Sequence, residues 1–223
     1  MSRRSVRAVL LSAAVAGPLF LGATGCGGDE DRASPDYKVV AGTQLCGGHA
    51  ISVDAAKALK VITGSSRFEA SGKGYTVAKA STDFVEALWN PTVYRGDACR
   101  IYTPRDSPDF DLRITWTRID TVSTGTPDPK FTVLKMGERA VTAADMAYIQ
   151  FACTSDELAG SSGATHIEIG VEHWAVSKDP QDNIKGLKDA YATVAHSFSL
   201  AMAKELRCEK NGGLPAKPVL DPA

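Results

Sequence analysis

The chain has 223 residues, of which 43% are hydrophobic and 23% charged, within the range of globular proteins and long enough for one compact domain with a real core. Its formal net charge of −1 falls to about −4 once Arg3, Arg4 and Arg7 are set aside with the rest of the residues before Cys26. A mildly acidic chain whose densest basic cluster lies at its extreme start lacks the concentrated positive patch that phosphate neutralisation requires, so nucleic-acid binding is excluded as an expectation.

The three arginines precede Ala8 to Leu21 (AVLLSAAVAGPLFL), an apolar run interrupted by Gly17 and Pro18. It is shorter than the roughly 20 residues a spanning helix needs and reads as a signal peptide over residues 1–25. Ala23-Thr24-Gly25-Cys26 then ends a run of small residues in a cysteine, and GGDEDRASPD follows. This arrangement resembles the bacterial lipobox, and with the layout of the remaining cysteines it is similar to the small actinobacterial surface lipoproteins of unassigned function. The resemblance implies a diacylglyceryl group on the Cys26 thiol, cleavage before it, and residence on the outer face of the cell membrane. Two acyl chains, at ~0.8 kcal/mol per buried methylene, hold a protein stably where one chain binds reversibly. Ser2-Arg3-Arg4-Ser5-Val6-Arg7 is compatible with export by the twin-arginine route as well as by the general secretory one.

Residues 26–44, rich in Gly, Asp and Ser with Pro35, read as a flexible tether, and a single globular unit is expected over 45–209. Ser52, VDAAKALKVI and Gly64 form a capped helix whose apolar positions are Val53, Ala56 and Leu59, with the stem of Lys60 alongside. Thr76 to Leu88 places Val77, Phe84, Val85 and Leu88 on one helical face, and Pro91 follows. Cys99 to Thr103 is a short strand candidate. Phe110, Leu112, Ile114 and Trp116 alternate with Asp111, Arg113, Thr115 and Thr117, the period of a strand with one buried face. Phe131 to Met136, Ala147 to Cys153 and Thr165 to Val176 are further strands, the last with Ile167, Ile169 and Val171 on one side. Gln181 to Arg207 carries Ile184, Leu187, Tyr191, Val194, Phe198, Ala201 and Met202 at steps of three and four, a long amphipathic helix. The tail 210–223 (KNGGLPAKPVLDPA) reads as disordered. Successive strands with polar turns and one long helix give an α+β fold, an antiparallel sheet with the C-terminal helix across one face.

With Cys26 lipidated, Cys46, Cys99, Cys153 and Cys208 form an even set for an oxidising compartment. Four cysteines allow three connectivities; Cys46 with Cys99 and Cys153 with Cys208 is the expected one. Their wide spacing lacks the close ligand pairs of zinc sites.

Chemistry is harder to find. His166, Glu168 and Glu172 alternate with Gly170 between them and share one strand face, as a solvated sheet surface or as metal ligands. His173, on the opposite face, and His196, on the long helix, read as packing residues. Ser65-Ser66 and Ser161-Ser162 lie in turns without the G-x-S-x-G elbow, and no phosphate or dinucleotide loop occurs. Among Trp89, Trp116 and Trp174, Trp116 falls on an apolar strand face and Trp174 beside Glu172, where it serves best for exposed contact. The expectation is a non-enzymatic binding or adaptor module without cofactor or metal, its contacts centred on Trp174, Glu172, His166 and Glu168 and its partner a protein or wall component. An extracytoplasmic hydrolase or metal-dependent enzyme around His166, Glu168 and Glu172 is the alternative.

Overall fold

The computed structural model describes residues 38–105, 110–158, 163–173 and 182–223. The signal segment, Cys26, most of the tether, Ser161-Ser162 and Trp174 lie outside the described residues. In chain order the elements are β1 (Val39–Ala41), α1 (Val53–Thr63), β2 (Arg67–Glu69), α2 (Val77–Leu88), β3 (Arg95–Tyr102), β4 (Asp111–Ile119), β5 (Thr132–Leu134), β6 (Arg139–Thr142), β7 (Met146–Cys153), β8 (Thr165–His173) and α3 (Ile184–Glu205). Six strands form one antiparallel sheet in the order β3-β4-β8-β7-β6-β5, and β1 pairs with β2 in a separate ribbon. The fold is α+β, with α3 packed on one face of the sheet.

Local chemistry accounts for the helix ends. Ser52 Oγ accepts from the Ala55 amide, and Gly64, at φ 74°, returns its N–H to Lys60 O, so α1 is capped at both ends. Thr76 does the same at the start of α2 by accepting from Lys79 N. The buried face of α1 is nevertheless rotated from the expected one: Ala55, Ala58, Leu59 and Ile62 are buried while Val53 is 65% exposed. The reason is its neighbour. The N-terminal end of α1 is held against α3 by Ser197, whose Oγ donates to Ala50 O and accepts from Ser52 N, which turns the small Ala55 and Ala58 inward.

On the sheet, Leu112, Ile114 and Trp116 of β4, Ala147, Ile149 and Phe151 of β7, and Ile167, Ile169 and Val171 of β8 all point to the helical side and are buried. Phe84 of α2 meets Trp116 edge-on at 5.4 Å between centroids. The stripe on α3 holds for Tyr191, Val194, Phe198, Ala201 and Met202, whereas Ile184 is exposed. From Ala190 to Ser199 every residue of α3 is buried, because α1, α2 and the chain beyond residue 208 cover what the sheet leaves open.

Disulfides join Cys46 to Cys99 and Cys153 to Cys208, with Cα separations of 5.6 and 4.8 Å. The second ties the end of β7 to the end of α3.

Two boundaries differ from the sequence expectation. The ordered unit includes residues 38–44, since Val40 is buried and β1 pairs with β2. Residues 210–223, expected to be disordered, pack on the domain. Lys210, Asn211 and Gly212 take left-handed backbone conformations, and a Cβ at Gly212 would stand 2.6 Å from the Phe151 ring. Leu214 is 5% exposed, Pro215 O accepts from His196 Nε2 at 2.8 Å, and the Ala223 amide donates to Val133 O. The glycines that suggested disorder supply the turn, Gly212 and Gly213 both taking positive φ.

Candidate functional site

The sheet face turned away from the helices gathers the polar residues that alternate with the core. Strand register arranges them in rows. Arg95, Thr117, Glu168, Gln150 and Arg139 run across β3, β4, β8, β7 and β6. Beside them lie Asp97, Thr115, Gly170, Tyr148, Val141 and Val133, followed by Arg100, Arg113, Glu172 and Met146.

The side chains in these rows bind one another. Tyr148 OH donates to Glu172 Oε1 at 2.9 Å, and Arg95 reaches the same oxygen at 3.2 Å. Gln150 Nε2 donates to Glu168 Oε2 at 2.7 Å while its Oε1 accepts from Ser123 N. Asp97 accepts from Arg113 Nε at 2.6 Å and from Arg100 NH2 at 2.9 Å. Gly170 makes room at the centre: a Cβ there would lie 3.0 Å from both the Tyr148 ring and Thr115 Oγ1, so the phenol lies across the bare backbone. The segment after β4 folds over one end, where Arg139 donates to Ser123 O and Gly125 O and Phe131 tilts against Tyr148 at 6.1 Å. Together with Pro127 and Asp128 these groups enclose a hollow of about 200 Å³ beside Tyr148, Gln150 and Glu168.

Electrostatics follow from the pairing. Burial, reinforced by the Glu172 carboxylate, pushes the Tyr148 phenol well up, so it is a proton donor throughout the physiological range. Burial works against ionisation of Asp97, but the hydrogen bonds from Arg100 and Arg113 outweigh it and hold the carboxyl below its ordinary value. Asp111, at the margin, is raised by burial, and its Oδ1 has no partner among the described residues.

His166, Glu168 and Glu172 therefore share a face but do not converge on one point. His166 Nδ1 pairs with Glu138 at 2.7 Å, and each glutamate has its own separate partners. Among the described residues no three His, Cys, Asp or Glu side chains are grouped to hold a metal ion. His173 stacks on Phe110 at 3.9 Å, with burial lowering its pKa, and His196 is buried and lowered for the same reason while clamping the tail. Ser65 Oγ caps its own turn by donating to Arg67 O. Trp116 is core, as its strand position implies, and Trp89 is 75% exposed.

Tyr148, Gln150, Arg95 and Asp97 are the participants that sequence reasoning passed over. The alternation of Tyr148 and Gln150 with Ala147, Ile149 and Phe151 was the available signal for two of them; that they face Glu172 and Glu168 depends on β7–β8 register. No helix among the described residues is long and apolar enough to cross a membrane. No protein-family model matches the chain, and neither a curated protein nor a solved structure matches it.

Proposed function

We propose that the protein is a lipid-anchored extracytoplasmic binding module, tethered through Cys26 and presenting the outer sheet face to a partner protein or wall component. The observation that carries this reading is the mutual pairing on that face. Glu168, Glu172 and Asp97 are committed to Gln150, Tyr148 with Arg95, and Arg100 with Arg113, so the face offers a fixed pattern of donors and acceptors around an aromatic hollow. Such a preformed, charge-balanced surface serves recognition. Support for the anchor comes from cysteine usage, since the two disulfides take four of the five cysteines and Cys26 is the remaining one.

The test is fractionation and photo-cross-linking of the full chain in its own cells, with the cross-linker at Phe131. The intact chain is expected in the membrane fraction with a diacylglyceryl mass on Cys26, the Cys26→Ser chain is expected to be released, and one partner should be captured reproducibly and lost in Tyr148→Ala. A Cys26→Ser chain that stays in the membrane refutes the anchor. Substrate turnover abolished by Glu172→Gln refutes the non-enzymatic reading.

A further inference from the structure

A second hollow, of about 260 Å³, lies between the N-terminal end of α1, the middle of α3 and residues 216–218 of the tail. It is just below the about 300 Å³ at which drug-sized sites begin, and so suits a small ligand. Its inner wall is polar: Thr193, His196 and Ser197 of α3 are 9%, 3% and 9% exposed. Its rim carries His49, Asp54, Lys204 and Lys217, one or more from each segment around it. The gap exists because neighbouring residues of α3 hold different partners: Ser197 binds the start of α1 through Ala50 O and Ser52 N, while His196 binds the tail through Pro215 O.

Two observations point independently to a ligand. The first is the imidazole of His196. Its Nε2 stands 2.8 Å from the Pro215 carbonyl oxygen, an atom that only accepts, so Nε2 carries the proton. Burial lowers the His196 pKa by more than that hydrogen bond raises it, so the ring is neutral at pH 7 and Nδ1 holds a lone pair. Nδ1 has no hydrogen-bond partner among the described residues and, unlike the sealed polar atoms of Trp116 and Ser199, keeps accessible surface. The second is the charge at the rim. Asp54 is paired with Lys57 at 2.9 Å, whereas neither Lys204 nor Lys217 has an ion pair among the described residues. The N-terminus of α1, whose Ser52 and Asp54 line the hollow, adds the positive end of a helix dipole.

The hollow thus offers an acceptor at its wall beneath uncompensated positive charge, and the ligand chemistry follows. An ammonium group would donate to Nδ1 but is repelled by both lysines. A carboxylate or sulfate answers the lysines but has no proton for Nδ1 at neutral pH. A neutral hydroxyl donates to Nδ1 and leaves the lysines without a countercharge. A phosphate that keeps one proton does both, since its P–OH donates while its charged oxygens accept from ammonium groups. A monoester, with a second pKa of about 6, carries that proton at mildly acidic and neutral pH, whereas a diester has none. We infer that this hollow binds free phosphate or a small phosphate monoester, with His196 Nδ1 accepting from the P–OH and Lys204 and Lys217 donating to the charged oxygens. The inference depends neither on the lipid anchor nor on the outer sheet face.

The test is NMR titration of the ¹⁵N-labelled full chain in a maltoside detergent at about pH 6, where a monoester is half protonated. The titrants are inorganic phosphate, glycerol 3-phosphate, dimethyl phosphate, sulfate and glycerol, and the signal is His196 Nδ1, assigned through His196→Asn. Inorganic phosphate and glycerol 3-phosphate are expected to move it upfield saturably, and dimethyl phosphate, sulfate and glycerol to bind at least about tenfold more weakly, the loss of one hydrogen bond or of the countercharge. Tighter binding of glycerol 3-phosphate than of inorganic phosphate assigns an esterified ligand, and equal binding assigns the free anion. Lys204→Ala and Lys217→Ala should each weaken binding about fivefold, the effect of a charge-assisted hydrogen bond partly screened by solvent. Lys60→Ala, outside the hollow on α1, should bind as the parent does. The inference is overturned if neither phosphate moves the Nδ1 signal, if sulfate or dimethyl phosphate binds as tightly as they do, or if both lysine variants bind as tightly as the parent.

Discussion

Leu214→Ala is expected to destabilise the domain by about 2–3 kcal/mol, because the residue is part of the core although it lies in the tail. The side chain is 5% exposed and approaches Gly137 next to β6. Truncation to Ala removes three carbons from a buried site, and fully burying a leucine contributes about 1.5–3 kcal/mol before any cavity term. The site lies near the surface, where partial collapse and water entry limit that term, which places the loss at the lower end of the usual 2–5 kcal/mol for Leu→Ala. With a urea dependence of about 2 kcal/mol/M, the unfolding midpoint should fall by about 1–1.5 M with an unchanged slope. Native-state hydrogen exchange should in addition show faster exchange at the Ala223 amide, whose acceptor is Val133 O. A loss below about 0.5 kcal/mol, the range of ordinary surface substitutions, would refute the packing of residues 210–223 on the domain.

Two carboxylates should respond oppositely to pH. Asp97 is held below its ordinary value, so its contribution is present above about pH 4 and is lost as pH falls through the folded value; Asp97→Asn should cost about 1–3 kcal/mol at pH 7, and the difference should shrink in acid. Asp111 is raised by burial, so its contribution is present in acid and is lost as pH rises through its folded value. Asp111→Asn should therefore be at least as stable as the parent at pH 7 and show no gain below about pH 4; a destabilised variant at neutral pH would contradict the assignment, and urea unfolding between pH 3 and 7 reads both. The disulfides span sequence separations of 53 and 55 residues, so removing either pair by double Cys→Ser substitution should cost about 4 kcal/mol in the chain-entropy model. A difference of more than about 2 kcal/mol between the two double variants in urea unfolding would show that native-state effects outweigh the loop term.

Much of the layout was legible because the signals are local. Ser52 and Gly64 mark the ends of α1 through hydrogen bonds to backbone groups within four residues. The period of two in β4 and β8 places Trp116 in the core and puts Glu168 and Glu172 on the opposite face from Ile167 and Ile169. The short strands β1, β2 and β6 escaped notice because three or four residues are too few to express a period.

The sequence by itself determined the α+β class, the caps of α1, the long C-terminal helix and an even set of cysteines apart from Cys26, all properties of neighbouring residues or of counting. Tertiary structure alone decided the rest. The pairing of Glu172 with Tyr148 and Arg95 is set by strand register across segments far apart in the chain. The rotation of α1 is set by α3, and the Trp116 indole packs directly on the β3 backbone because Gly96 was brought opposite it. The tail packs because Leu214 finds a core and Pro215 finds the N–H of His196, neither of which lies within reach of any local pattern.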